Sequence, residues 1–295
     1  MRWLACLILG YCAACTAAPD ARLTAAVPGI ETLIGESGAD VAVAFRTLDG
    51  RSEWLRRADE SFHAASTMKV PVLIELYRQA HAGQVRLDDT LLIKNEFHSL
   101  ADGSAYTLRP EDDSEQDLYG ATGQTRTLAQ LDELMITVSS NLATNLLMQK
   151  LGVDNIRAGV HALGADGMQV RRGVEDGKAF ERGMNNTTTA RALLILMQSI
   201  AEGRAVDADS SRAMVAVLER QTLNDRIPAG LPPGTRVAHK TGEITRIQHD
   251  AAIVYAPRPF VLVVLTRGIE DPKQSATLTA EITRRLYKAT QSPSP

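Results

Sequence analysis

Three short stretches of this chain combine residue types that suit acyl-transfer chemistry. Ser66-Thr67-Met68-Lys69 sets an amine three residues after a hydroxyl, and at that spacing both side chains share one face of a helix. A serine hydroxyl is a weak nucleophile until a base takes its proton, and a desolvated lysine beside other cations can serve. A helix starting at Ser66 adds backbone N–H groups and a positive dipole end, which favour negative charge developing there. Ser139-Ser140-Asn141 stands between two apolar runs; Ser139 is suited to relay a proton to a leaving nitrogen and Asn141 to contact a substrate amide. Lys240-Thr241-Gly242 follows the strand-like Val237-Ala238-His239. Its lysine and threonine suit a carboxylate, and its glycine admits a close approach. The backbone N–H of Glu243 could then complete an oxyanion hole with that of Ser66. Taken singly, each stretch has a plain structural reading: an N-cap serine with an exposed lysine, a capped turn between helices, a common tripeptide.

The elements around them must bring these stretches together. Arg22 to Glu36 carries Leu23, Val27, Ile30, Leu33 and Ile34 at helical spacing. Asp40 to Arg46 reads as a strand that turns at Leu48-Asp49-Gly50 into a second strand around Glu53 to Arg56. A helix is expected over Ser66 to His81. Residues 94–126 are polar, broken by Gly103 and Pro110, and carry the acidic run Glu111-Asp112-Asp113; they read as a surface excursion whose acids are solvated. Helical patterns return at Leu128 to Ile136, Asn141 to Lys150, Asp154 to Leu163, Thr187 to Glu202 and Ser210 to Gln221. Strands follow at Arg236 to Lys240, Asp250 to Tyr255 and Phe260 to Thr266, and a last helix over Pro272 to Ala289. The two ends of the chain can join in one sheet-and-helix layer while the middle forms a helical lobe, with a cleft between them.

Composition excludes several classes. With 295 residues, a net charge of -3 and 44% hydrophobic residues, the chain suits a globular domain and offers no basic stripe for nucleic acid. The first residues differ: Arg2 precedes the apolar Trp3 to Ala14, which reads as a secretory signal over residues 1–18. Cys6, Cys12 and Cys15 all lie there, so the remainder has no internal disulfide. Ala13-Ala14-Cys15 resembles a lipoprotein cleavage site, which leaves a lipid anchor at Cys15 and a cleaved soluble form both open. No later stretch is long and apolar enough to span a membrane. His63, His81, His98, His161, His239 and His249 show no paired spacing, so neither a metal site nor another cofactor is expected. His239 is expected on the strand face opposite Lys240.

Taken together, the three motifs resemble the class A serine β-lactamases in order and spacing. So do the stretches Ala65 to Leu76, Met135 to Leu147, Asn186-Thr187-Thr188-Thr189-Ala190 and Ala238 to Gly242, and the resemblance covers the chain after residue 20. It implies an α+β fold: an antiparallel five-stranded sheet with flanking helices (about 20–60 and 222–295), an all-helical lobe (about 66–221), and the active site between them. It also implies acylation of Ser66, a proton path through Lys69, proton transfer by Ser139 and electrostatic help from Lys240. Ser140 departs from the pattern, which has an aspartate there as a structural partner, and this puts the local hydrogen bonding in question. The base that frees the acyl-enzyme is expected in the loop before the threonines. The family string Glu-x-x-Leu-Asn is absent, so Glu175 is the first candidate if the loop is about two residues shorter, Glu181 the second, and Asn185 a holder of the water. The alternative is that these are solvated loop charges. Arg246, with Lys240 and Thr241, is placed for a substrate carboxylate if the strand runs past Glu243; a surface charge at the strand edge is the equal alternative. A working base makes the protein a monomeric β-lactam hydrolase of the periplasm or exterior. Without one it is a penicillin-binding peptidase acting on cell-wall peptides. A non-catalytic penicillin sensor is a third reading.

Overall fold

The computed structural model describes residues 20–291, so the expected signal segment and Cys15 lie outside the described residues. Five strands form one antiparallel sheet: β1 (Asp40–Thr47), β2 (Glu53–Arg56), β3 (Arg236–Ile244), β4 (Ile247–Tyr255) and β5 (Phe260–Arg267), in the order β2-β1-β5-β4-β3. Eight longer helices accompany it: α1 (Ala21–Ser37), α2 (Lys69–His81), α3 (Leu128–Thr137), α4 (Asn141–Leu151), α5 (Val153–Ala162), α6 (Ala190–Ala201), α7 (Ala208–Leu218) and α8 (Pro272–Gln291).

Both faces of the sheet are covered, and alternation along the strands divides the apolar side chains between two cores. Val41, Val43 and Phe45 of β1 join Phe260, Leu262 and Val264 of β5 against Ile30 and Ile34 of α1 and Ile282 and Leu286 of α8. The intervening Ala42, Ala44, Val261, Val263 and Leu265 face the helical side, where they meet Leu193 and Met197 of α6. Buried on both faces, these strands read as unbroken apolar runs. The helices start where the sequence supplies caps. Asp20 accepts from Arg22 N and Leu23 N at the head of α1, and Thr127 with Gln130 forms a capping box on α3.

Two differences from the sequence expectation bear on the site. Ser66 does not start an α-helix: Ala65–Met68 is a tighter 3-10 turn, and α2 begins at Lys69. The helix expected from Thr187 begins at Ala190, because Thr187–Thr188 pairs with Phe62–His63 as a short ladder just before Ser66. The excursion over 94–126 has structure of its own, with Phe97–His98 paired to Ala105–Tyr106 and Phe97, Leu108 and Leu118 buried in the larger core.

Candidate active site

Ser66 stands at the start of the turn that leads into α2, partly exposed to a cleft of about 510 Å³. The residue before it, Ala65, holds a left-handed φ of 46°, and its N–H donates to His63 Nδ1 at 3.1 Å. The backbone N–H of Ala64 donates to Asn186 O at 2.8 Å. The turn is thus tied to the segment that carries the threonines. Gly242 of β3 packs directly against it: a Cβ there would lie 3.1 Å from Ser66 N and 3.1 Å from Thr67 N. Any larger residue would push the strand edge away from the Ser66 backbone.

Lys69 is fully buried, and its amine donates to Ser139 O at 2.6 Å, Ser139 Oγ at 3.1 Å and Asn141 Oδ1 at 2.9 Å. Among the described residues it makes no hydrogen bond to the Ser66 hydroxyl. Burial draws this amine down to about 7, against the opposing pull of Asp113 and Glu175. Near neutrality it can therefore both take up and release a proton. Lys240, also buried, reaches Ser139 Oγ at 3.0 Å and Thr241 O at 3.0 Å. Burial first and Lys69 second hold it well below the usual lysine range. Ser139, itself at a left-handed φ of 65°, thus has its hydroxyl oxygen between two amines. With both lone pairs accepting, its own proton is left to donate elsewhere.

The acidic run is not wholly solvated, contrary to its sequence reading. Glu111 and Asp112 are exposed, but Asp113 is buried. Its Oδ2 accepts from Asn141 N at 2.9 Å, Leu142 N at 2.9 Å, Tyr119 OH at 2.9 Å and Ser140 Oγ at 3.4 Å. A carboxylate on the first N–H groups of α4 is favoured by hydrogen bonding and by the helix dipole. The question raised by Ser140 is answered here: Ser140 Oγ caps Ala143 N at 3.2 Å, and the negative charge comes from Asp113.

Glu175 comes to the cleft, on a left-handed φ of 60°. Its Oε1 accepts from Asn141 Nδ2 at 2.6 Å, and partial burial raises its pKa above the ordinary carboxylate range. Asn141 therefore joins Lys69 through its carbonyl and Glu175 through its amide. The loop is fixed on both sides of Glu175. Asn145 accepts from Val174 N at 2.7 Å and donates to Val174 O at 3.0 Å. The buried Asp176 accepts from Ser99 Oγ at 2.7 Å and Leu100 N at 2.8 Å. Gly173 is required by close packing, since a Cβ there would come within 2.5 Å of Tyr106 OH and 2.9 Å of Asn145 Oδ1. Glu181, the second candidate, is exposed at the end of the helical turn Gly177–Glu181 and does not line the cleft. Asn185 is engaged elsewhere, accepting from Arg172 Nη2 at 3.1 Å.

At the β3 end, Thr241 is buried and Glu243 lines the cleft. Arg246 does not arrive there. The strand reverses at Thr245-Arg246, and Arg246, at a φ of 59°, turns its Nη2 to Gly268 O at 3.1 Å and faces Glu270 at 3.9 Å. The cation at this end is Arg226, which is 2% exposed and ion-paired with Glu243. It also donates from Nη1 to His249 O at 3.3 Å. Nothing local in Asn224-Asp225-Arg226-Ile227 announces this role, since only the return of β3 brings the two together. Asn145 did leave a signal, a second asparagine four residues after Asn141 on an otherwise apolar helix. His239 faces away from Lys240 as expected, bonded to Asp250 at 3.0 Å and Asn224 at 3.1 Å. Among the described residues, no three His, Cys, Asp or Glu side chains are grouped to hold a metal ion.

The profile of the family described as the beta-lactamase enzyme family matches residues 26–290 of this chain. A β-lactamase of Streptomyces albus G is 30% identical over 258 residues, covering 85% of this chain and 80% of the relative. One from Bacillus licheniformis is also 30% identical, over 55% of this chain and 55% of its own length. The solved structure of PBP-A superposes with a TM-score of 0.79 at 25% identity, covering 92% of this chain and 97% of that one. A mutant of the same protein has been solved as an acyl-enzyme complex with penicillin G.

Proposed function

This chain belongs to the beta-lactamase enzyme family, and from that premise we propose that it hydrolyses the β-lactam amide through an acyl-enzyme on Ser66. Ser66 Oγ attacks the ring carbonyl while its proton passes to the buried Lys69 amine, which sits near 7 and so accepts it without a large penalty. The N–H groups of Ser66 and Glu243 hold the oxyanion. As the C–N bond breaks, Ser139 gives its proton to the departing nitrogen and is reprotonated from the two amines on its oxygen. Water activated by Glu175 then attacks the ester carbonyl. Glu175 takes the water's proton and passes it on to Ser66 Oγ as that oxygen leaves, which restores both groups.

The observation that carries this reading is Glu175, held in the same cleft as Ser66 by Asn141 at 2.6 Å. A carboxylate there separates a hydrolase, which clears its ester, from a penicillin-binding peptidase, which keeps it. The likeness to PBP-A supports the peptidase as the competing reading. The two are distinguished by mixing the full chain with a chromogenic cephalosporin and following colour and intact mass. Sustained turnover with a transient adduct on Ser66 is the expected result. One stable adduct and no turnover would overturn the reading in favour of the peptidase. We further propose that the mature protein acts outside the cytoplasm, a reading that rests on the signal-like residues 1–18.

A further inference from the structure

Arg226 is buried behind Glu243 at the β3 end of the cleft, and its hydrogen-bonding capacity is unevenly used. Nη1 donates to His249 O at 3.3 Å, Nη2 to the Glu243 carboxylate, and Nε has no partner. A guanidinium removed from water requires an anion close by. Asp225 is 3.8 Å away with its side chain 61% exposed, so Glu243 is the nearer acid. The Glu243 side chain is itself 49% exposed and lines the cleft that Ser66 opens into. Thr241 and Glu243 are two residues apart on β3 and therefore on one face of it. A substrate carboxylate seeking the Thr241 hydroxyl and the Arg226 charge meets an anion already in place.

We propose that Glu243 is a specificity-determining residue: its carboxylate occupies Arg226 and discriminates against ligands bearing a carboxylate at this end of the cleft. The proposal rests on the cleft being the β-lactam site, but not on turnover. Two consequences combine: the cation is neutralised before the ligand arrives, and like charges are brought together in a partly screened setting. With Arg226 buried and Glu243 half exposed, these are worth about tenfold in affinity. Ligands neutral at this position escape both.

The test uses the full chain carrying Ser66→Ala, so that ligands bind without reacting, and calorimetric titration with benzylpenicillin and with its methyl ester. Adding Glu243→Gln should tighten the free acid about tenfold while the ester moves less than about twofold. Adding Arg226→Gln as well should abolish the gain for the acid. Equal shifts for acid and ester, no shift for either, weaker binding of the acid, or no measurable binding of the acid to the Gln variant each overturn the filter. Should Glu243→Gln prove unstable with Arg226 left unpaired, Glu243→Ser keeps a hydrogen-bonding group without the charge and is held to the same ratio. If the unsubstituted protein forms no adduct on Ser66, the hydrolase reading falls, and the ratio of the two affinities still decides the filter.

Discussion

Asp113→Ala removes one acceptor from four donors. The backbone N–H groups of Asn141 and Leu142, the Tyr119 hydroxyl and the Ser140 hydroxyl all point at the same carboxylate oxygen. Loss of a helix cap costs about 1–2 kcal/mol, and stranding a buried hydroxyl costs about 1–3 kcal/mol. With partial rehydration the variant should lose about 3 kcal/mol, or roughly 6–12 °C in Tm for a chain of this size. The same carboxylate is the larger of two influences that hold the Lys69 pKa up against burial. Removing it should move the Lys69 amine below about 7, so the acid limb of the acylation profile shifts to lower pH. The overall rate falls as well, because Asn141 and Ser139 lose the anchored start of α4. Both effects are read by urea denaturation and by labelling Ser66 with a fluorescent penicillin between pH 5 and 9. Asp113→Asn, which keeps the shape without the charge, should show the pH shift with a smaller loss of stability. Ser140→Asp in the Asp113→Ala background should restore much of both, since a carboxylate returns to the same helix end. A stability loss under about 1 kcal/mol, an acid limb that moves upward, or the absence of rescue would refute the reasoning.

Glu175→Gln should let the Ser66 adduct accumulate in intact mass while the acylation rate changes by less than about tenfold; normal turnover would show that another group is the base. Because burial raises the Glu175 pKa, hydrolysis of a preformed adduct should lose rate on acidification at a pH above the ordinary carboxylate range, and a limb below that range would contradict it. Gly173→Ala should slow release of the adduct far more than its formation, since the new methyl must displace Tyr106 or Asn145 beside Val174. Asp132 is buried, with one carboxylate oxygen unpartnered and its pKa pushed well up by burial. A raised folded-state value contributes stability at low pH that is lost as pH rises through it. Asp132→Asn should therefore lose less stability than the unsubstituted protein as pH rises above the ordinary carboxylate value, measured by urea midpoints.

The chemistry of this site was legible wherever it is encoded locally. Ser66 and Lys69 are three residues apart, and Lys240, Thr241 and Gly242 are consecutive; no one spacing singled them out, but their joint order and the resemblance it carries did. The sheet was legible because β1 and β5 carry the apolar runs Val41 to Phe45 and Phe260 to Leu265, and β2 follows a turn at Asp49-Gly50. What escaped was long-range and polar. Asp113 meets the start of α4 across 28 residues, and a carboxylate in an acidic loop looks the same whether it caps a distant helix or faces water. Arg226 is likewise an ordinary arginine until β3 passes beside it. Arg246 stood equally for a cleft cation and a surface charge, since no local signal fixes where a strand reverses; the hairpin puts it at the exposed tip. Glu175 and Glu181 were separated only by the short helical turn that sends the second into solvent.

Four of the five non-glycine residues with left-handed backbone among the described residues are Ala65, Ser139, Glu175 and Arg246, three of them in or beside the candidate site and the fourth at the hairpin tip next to it. Each such conformation costs about 1 kcal/mol or more in a residue with a Cβ. The protein therefore holds its reactive groups at some expense to its own folding equilibrium. Glycine at position 65 would relax that conformation and raise the melting temperature, yet it would also free the turn that aims Ser66. Selection for thermal endurance alone would be expected to accept such changes and yield a tougher, slower protein. Variants that gain stability without losing rate should instead map to the opposite core, under α1 and α8.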